Sequence, residues 1–91
     1  VNFEWDPDKA KQNRRKHRVS FHEAATVFGD SFSVTYPDPD HSTSERRFIT
    51  VGMSSAGRVL IVAHVDRKEN IRIISARKTT QSERNQYEEK N

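Results

Sequence analysis

The 91-residue chain contains no cysteine, three glycines, three prolines and a single tryptophan. Without thiols, neither a disulfide framework nor a thiolate metal site can form. Glycine and proline are too sparse for a flexible linker, and no repeat or low-complexity tract appears. No apolar run approaches the roughly 18–20 residues of a membrane-spanning helix. No secretory signal opens the sequence either, so a cytoplasmic protein is the default expectation. Hydrophobic residues make up 32%, no more than the charged ones, and mean hydropathy is −0.98. Such a length and composition imply one domain over residues 1–91 with a small core, which a binding partner would help to stabilise.

Charge is what the chain has in quantity, and it is unevenly spread. The net charge is +3, yet "KAKQNRRKHR" at 9–18 carries six cations (Lys9, Lys11, Arg14, Arg15, Lys16, Arg18) and no acid. The acids gather in "DPDHSTSE" and in "YEEKN" near the end. A basic block of this kind suits an anionic partner, either nucleic acid or an acidic protein. A solvated helix face is the plainer alternative.

The apolar residues are few but periodic, which argues for a folded chain. "FEW" at 3–5 is a short strand. Asp6 then caps a helix with Pro7 at its first position, running to about His17 with a narrow inner stripe of Ala10, Asn13 and His17. Ser20 and Glu23 form a capping-box pattern for a second helix, whose core stripe is Phe21, Ala24, Ala25 and Phe28. From there the period becomes two. Phe32, Val34 and Tyr36 alternate in a strand closed by Pro37 and Pro39. "RRFITVGM" alternates again, "SSAG" reads as a hairpin turn, and the nearly all-apolar "RVLIVAHV" suits a central strand covered on both faces. "IRIISAR" follows, and Thr80 with Glu83 repeats the capping box for a helix over 80–90. The expected order is β-α-α-β-β-β-β-α, an α+β fold whose antiparallel sheet is packed by helices from the chain ends.

Several groups carry chemistry. The four histidines lack any metal-ligand spacing, and Asp38, Asp40, His41 and Glu45 read as an exposed turn more readily than as a cation site. His17 and His64 are each either a proton-handling group or a hydrogen-bonded structural histidine. Arg58, Arg72, Arg77 and Lys78 are more informative, because guanidinium forks hold phosphate oxygens and stay charged when desolvated. RNA cleavage through its own 2′-OH needs the 2′-oxygen deprotonated, the pentacoordinate phosphorus stabilised and the 5′-oxygen protonated. Cations supply the second requirement and no metal is needed. Tyr87, one turn beyond Arg84, is a candidate for stacking a base or donating a proton. The alternative for this cluster is edge-strand charge that blocks sheet-to-sheet aggregation, and the pattern alone does not choose.

The ordered segments "FEWDPDKAKQNRRKHRVSFHEAATVF", "HSTSERRFITVG", "GRVLIVAHV" and "IRIISARKTTQSERNQYEE" resemble the BrnT family of toxins from bacterial type II toxin–antitoxin systems. The resemblance spans nearly the whole chain. It implies a RelE-like fold and a metal- and cofactor-independent mRNA endonuclease that blocks translation. It also implies neutralisation by a BrnA-like antitoxin in a 2:2 heterotetramer, with DNA bound only through the antitoxin. For the wider superfamily it points to Arg58, Arg77, Lys78 and Tyr87 as catalytic candidates. The BrnT-like pattern adds Lys16, His17, Glu45, Arg46 or Arg47, and Arg72. Lys11, Arg14, Arg15, Lys16, Arg18, Arg46 and Arg72 are then the expected RNA-binding residues. Where similar sequences read "KHG", this chain has His17-Arg18, so a left-handed turn there would carry an arginine. Two rival classes remain, a non-catalytic nucleic-acid-binding module and a protein-interaction subunit of a repressor complex.

Overall fold

A computed structural model describes residues 1–89 of the chain. Its elements are β1 (Asn2–Glu4), α1 (Pro7–His17), α2 (Phe21–Ala25), β2 (Val34–Pro37), β3 (Arg47–Met53), β4 (Val59–Arg67), β5 (Asn70–Lys78) and α3 (Gln81–Glu89), with 3-10 turns at Thr26–Gly29 and Pro39–His41. Residue 90, expected in the last helix, lies outside the described residues. The strands form one sheet in the order β1-β5-β4-β3-β2, with β4 at the centre as its apolar sequence demands.

The sheet is mixed rather than wholly antiparallel. β1 runs parallel to β5, pairing Asn2 with Asn70 and Glu4 with Arg72, while every other pair is antiparallel. A three-residue strand gives no sign of its partner in sequence. Here it joins the edge that β5 leaves open, and the two helices then carry the chain across to β2 at the far edge.

α1 and α2 bury one face of the sheet. Val19, Phe21, Ala24 and Val27 meet Leu60, Val62, Ile73 and Ala76 in the core, with Phe3, Trp5, Ala10 and Phe28 packed around them. Asp6 caps α1 as expected, accepting from the Asp8 amide at 2.9 Å. α2 stops at Ala25 instead of running to Phe28. The Thr26 hydroxyl donates to the Glu23 carbonyl at 2.6 Å, drawing the chain into a 3-10 turn. That turn crosses β3 at Gly52, where a Cβ would lie 2.9 Å from Ser33 Cβ and 3.1 Å from the Val27 carbonyl oxygen. Phe32 lies outside β2, in a turn that Asp30 makes by accepting from the Phe32 amide at 2.9 Å.

One buried polar side chain stitches α1 to the sheet. Asn13 donates to the carbonyls of Val19 (3.0 Å) and Ala76 (2.8 Å) and accepts from the Ala76 amide (3.1 Å). His64 is also buried, ring-packed between Phe28 and Phe48. Its Nδ1 bonds Asp66 and its Nε2 bonds Thr50, each at 2.8 Å, and Thr50 bonds Thr35 at 2.7 Å. That satisfied chain, with Thr50 fully buried, gives His64 a structural role.

Arg18 closes α1 in the left-handed region at φ 60, its amide donating to the Arg14 carbonyl. A Cβ in that region costs about 1 kcal/mol relative to glycine. Arg18→Gly is therefore expected to raise stability by about 1 kcal/mol, read as a higher midpoint in urea. A lowered midpoint would show that the arginine side chain contributes more than its backbone strain removes.

Candidate nucleic-acid interface

Two helical turns line up the basic block. Lys11, Arg14, Arg15 and Arg18 recur at the i, i+3, i+4, i+7 spacing that places side chains on one face, and together they border a shallow cationic surface. Lys16 is exposed on the same helix, one step off that row. The row ends at Arg18, whose carbonyl accepts from Arg58 Nη2 at 3.2 Å. Beyond Arg58 the surface continues into a cleft of about 200 Å³ bordered by Arg58, Lys78, Arg84 and the Thr79–Gln81 entry into α3. The α1 cations thus adjoin a second group from β5, α3 and the turn before β4, and the two meet at the Arg18–Arg58 contact to make a cation track. His17 is the last residue of α1 and continues the Ala10–Asn13 inner stripe, at the same end of the molecule as Arg58.

Adjacent residues Arg77 and Lys78 face opposite sides. In the β4–β5 register Lys78 pairs with buried Leu60, and Arg77 pairs with Ile61 on the outer face. There Arg77 lines a second cavity of about 260 Å³ with Val34, Tyr36, Val51 and Tyr87. Arg77 forms a bidentate ion pair with Glu83, at 2.9 and 3.0 Å. Glu83 also completes the expected capping box by accepting from the Thr80 amide at 2.8 Å, while Thr80 Oγ1 accepts from the Glu83 amide. At the other end of α3 the Tyr87 hydroxyl donates to Asp30, which also accepts from the Met53 amide. Burial, reinforced by that carboxylate, pushes the Tyr87 hydroxyl up to about 12.

The Arg77 guanidinium, then the Thr80 amide, hold Glu83 down at about 2 against an ordinary 4.5. A depressed carboxylate stabilises the fold above its unfolded value and loses that contribution as pH falls through its folded value. The N-terminal attachment of α3 should therefore be complete above pH 4.5 and weaken toward pH 2. A carbon NMR titration of Glu83 should show a midpoint near 2, rising toward the ordinary carboxylate range in Arg77→Ala but held short of it by the Thr80 amide; equal midpoints would remove Arg77 as the cause.

The remaining candidates are dispersed. Arg72 donates to Glu4 across the β1 edge at 2.9 Å, and Arg46 sits 5.4 Å from the Phe48 ring centroid. Both are at the opposite end of the sheet from Arg58, about 20 Å away at the rise of a strand. Glu45 there forms a bidentate pair with Arg67, whereas His41 pairs with Asp38 at 3.0 Å. Among the described residues no three His, Cys, Asp or Glu side chains are grouped to hold a metal. No helix among them is long and apolar enough to cross a membrane.

Two residues of the track were not legible beforehand. Arg84, to which the sequence assigns no role, borders the cleft while also pairing with Glu88 at 3.0 Å. Glu23 reads as a capping-box acid, but only half the box forms: Ser20 Oγ accepts from the Glu23 amide at 3.0 Å. The carboxylate turns instead to Arg58, 35 residues away, where a charge-assisted fork outweighs a bond to a neutral amide.

A comparison with curated proteins gives no match. Among solved structures, the crystal structure of the Brucella abortus ribonuclease toxin BrnT matches with a TM-score of 0.69 at 19% identity, covering 89% of this chain and all of that one. At that identity the likeness establishes the mixed α+β fold with its five-stranded sheet and three helices. The family match is in sequence: residues 5–83 fit the family described as the ribonuclease toxin, BrnT, of type II toxin–antitoxin systems. With most of its length inside that match, the chain belongs to the BrnT family of ribonuclease toxins, and membership implies an antitoxin partner.

Proposed function

We propose that the chain is a single RelE-like toxin domain that cuts mRNA without a metal, so blocking translation until a BrnA-like antitoxin neutralises it. The observation that carries this reading is the cation track from Lys11 along α1 to Arg18, which meets Arg58, Lys78 and Arg84 at the Arg18–Arg58 contact. A track of that kind holds a run of backbone phosphates by charge, without reading bases.

In this mechanism the α1 cations bind the RNA backbone on one side of the cut. Arg58 and Lys78 receive the scissile phosphate and stabilise the charge that builds on its oxygens as the 2′-oxygen attacks. His17, at the end of α1, takes the 2′-hydroxyl proton as the 2′-oxygen bonds to phosphorus and returns it to the 5′-oxygen as the P–O5′ bond breaks. The Tyr87 hydroxyl donates to Asp30, so in this reading it attaches α3 instead of donating a proton to the RNA. Arg77 acts one step back, fixing the start of α3 through Glu83 next to Lys78. A cytoplasmic site of action and a 2:2 toxin–antitoxin complex complete the proposal, with DNA contacted only through the antitoxin.

Expression of the chain without its partner tests it, with growth followed and RNA ends mapped. Growth arrest with new mRNA ends, reproduced by the purified protein in EDTA, is the expected result. Intact RNA bound in a salt-dependent way would favour a binding module. Activity lost in EDTA and restored by a divalent cation would remove the metal-independent part.

A further inference from the structure

An arginine at the end of a sheet ordinarily samples many rotamers, and fixing one is entropically unfavourable. Arg58 is fixed from three sides. Glu23 Oε2 accepts from its Nε at 2.9 Å, Glu23 Oε1 accepts from its Nη2, and the Arg18 carbonyl accepts from the same Nη2. These contacts occupy the Nε–H and both Nη2–H donors and leave the Nη1 donors for an anion. Glu23 is itself held, because Ser54 Oγ donates to Oε2 at 2.7 Å and its side chain is only 15% exposed.

We infer that Glu23 is a positioning residue for RNA cleavage: from α2 it sets the plane of the Arg58 guanidinium so that the Nη1 edge, beside Lys78, meets the scissile phosphate. The inference deepens the ribonuclease reading and rests on it. Glu23 does not serve as the base itself, since both its oxygens already accept hydrogen bonds and the Arg58 guanidinium holds its carboxyl below the ordinary range. The pair carries no net charge, yet Arg18, Lys78 and Arg84 around it keep the site positive. An anion there therefore meets a preset donor edge instead of a mobile one, which is where preorganisation acts.

The same carboxylate also ties α2 to the β3–β4 turn through Ser54, so a purely structural role must be separated from positioning. Single-turnover cleavage of an RNA oligonucleotide is measured for wild type, Glu23→Gln, Glu23→Asp, Arg58→Ala, Ser54→Ala and the Glu23→Gln/Arg58→Ala double variant. Glu23→Gln should slow the maximal rate by about tenfold to a hundredfold, as a misplaced catalytic group does, with KM little changed. Glu23→Asp should recover part of the loss, and Ser54→Ala, which removes one bond to Glu23 but leaves the Arg58 fork, should lose less than Glu23→Gln. The double variant should be no slower than Arg58→Ala alone, because Glu23 acts only through Arg58. Losses that multiply in the double variant, or a wild-type rate in Glu23→Gln, would overturn the inference. A readout independent of cleavage is the Arg58 Nε–H resonance, expected sharp in wild type, broadened in Glu23→Gln and less so in Ser54→Ala. If the wild type cuts no RNA, the ribonuclease reading fails by itself. That resonance, unchanged by Glu23→Gln, would then sink the positioning role as well.

Discussion

Replacing Arg58 with alanine is expected to slow RNA cleavage by about 10²–10³-fold, the loss typical of removing one donor from a developing oxyanion. The side chain is 32% exposed at the mouth of the cleft, so an incoming phosphate can reach it. It also joins the α1 row to the Lys78–Arg84 cleft, through the Arg18 carbonyl. Removing it leaves the half-buried Glu23 carboxylate without its partner, so the alanine variant should lose stability as well as rate. Arg58→Lys separates the two effects. It returns a positive charge near Glu23 but not the two-edged fork, so stability should largely recover while most of the rate stays lost. Cleavage under single-turnover conditions, paired with urea denaturation of each variant, gives the answer. A lysine variant cutting at the wild-type rate would reduce Arg58 to a point charge.

Asn13→Ala should cost about 2–4 kcal/mol, because three hydrogen bonds vanish and buried backbone groups are left unpaired. The Ala76 amide and the carbonyls of Val19 and Ala76 all lose their partner at once. A domain of this size has only about 5–15 kcal/mol to lose, so the variant should melt at a much lower urea concentration with an unchanged slope. Asn13→Leu fills the space and still leaves the Ala76 amide unpaired, so it should rescue little. Because Ala76 directly precedes Arg77 and Lys78, a folded remnant should also cut RNA more slowly. A denaturation midpoint equal to wild type in both variants would contradict the bonding just described.

Much of the fold is legible because local chemistry is consistent with it. Asp6-Pro7, the switch to period two after Asp30 and the apolar run of β4 each specify an element without help from elsewhere. What could not be read depends on distant partners. β1 is too short to announce that it pairs in parallel, and α2 yields to a 3-10 turn because Thr26 competes for a carbonyl. In β5 the alternation of "IRIISAR" places Ile71, Ile73, Ser75 and Arg77 on one face. The structure interrupts that phase with a bulge, since Ala63 pairs with Ser75 but His64 with Ile73. Arg77 is thereby turned away from the core that Ile73 enters. The candidate site divides in the same way. Lys11, Arg14, Arg15 and Arg18 follow from helical spacing alone, whereas the Glu23–Arg58 pair spans 35 residues and leaves no local trace. The cations grouped by composition separate once the sheet sets them on opposite faces and ends.

The bulge has a further consequence for chain length. Nine residues of β5, Asn70–Lys78, lie against eight of β4, Leu60–Arg67, so one residue between Ile73 and Ser75 has no opposite number. A chain shortened at Ile74 would keep every other pairing at both ends of the ladder, with the loss falling on the local bend and twist that a bulge supplies. Removing a residue elsewhere in β5 would slip the ladder and turn side chains to the wrong face. Ile74 is thus the position in this strand where the chain can lose one residue and still present the same cations.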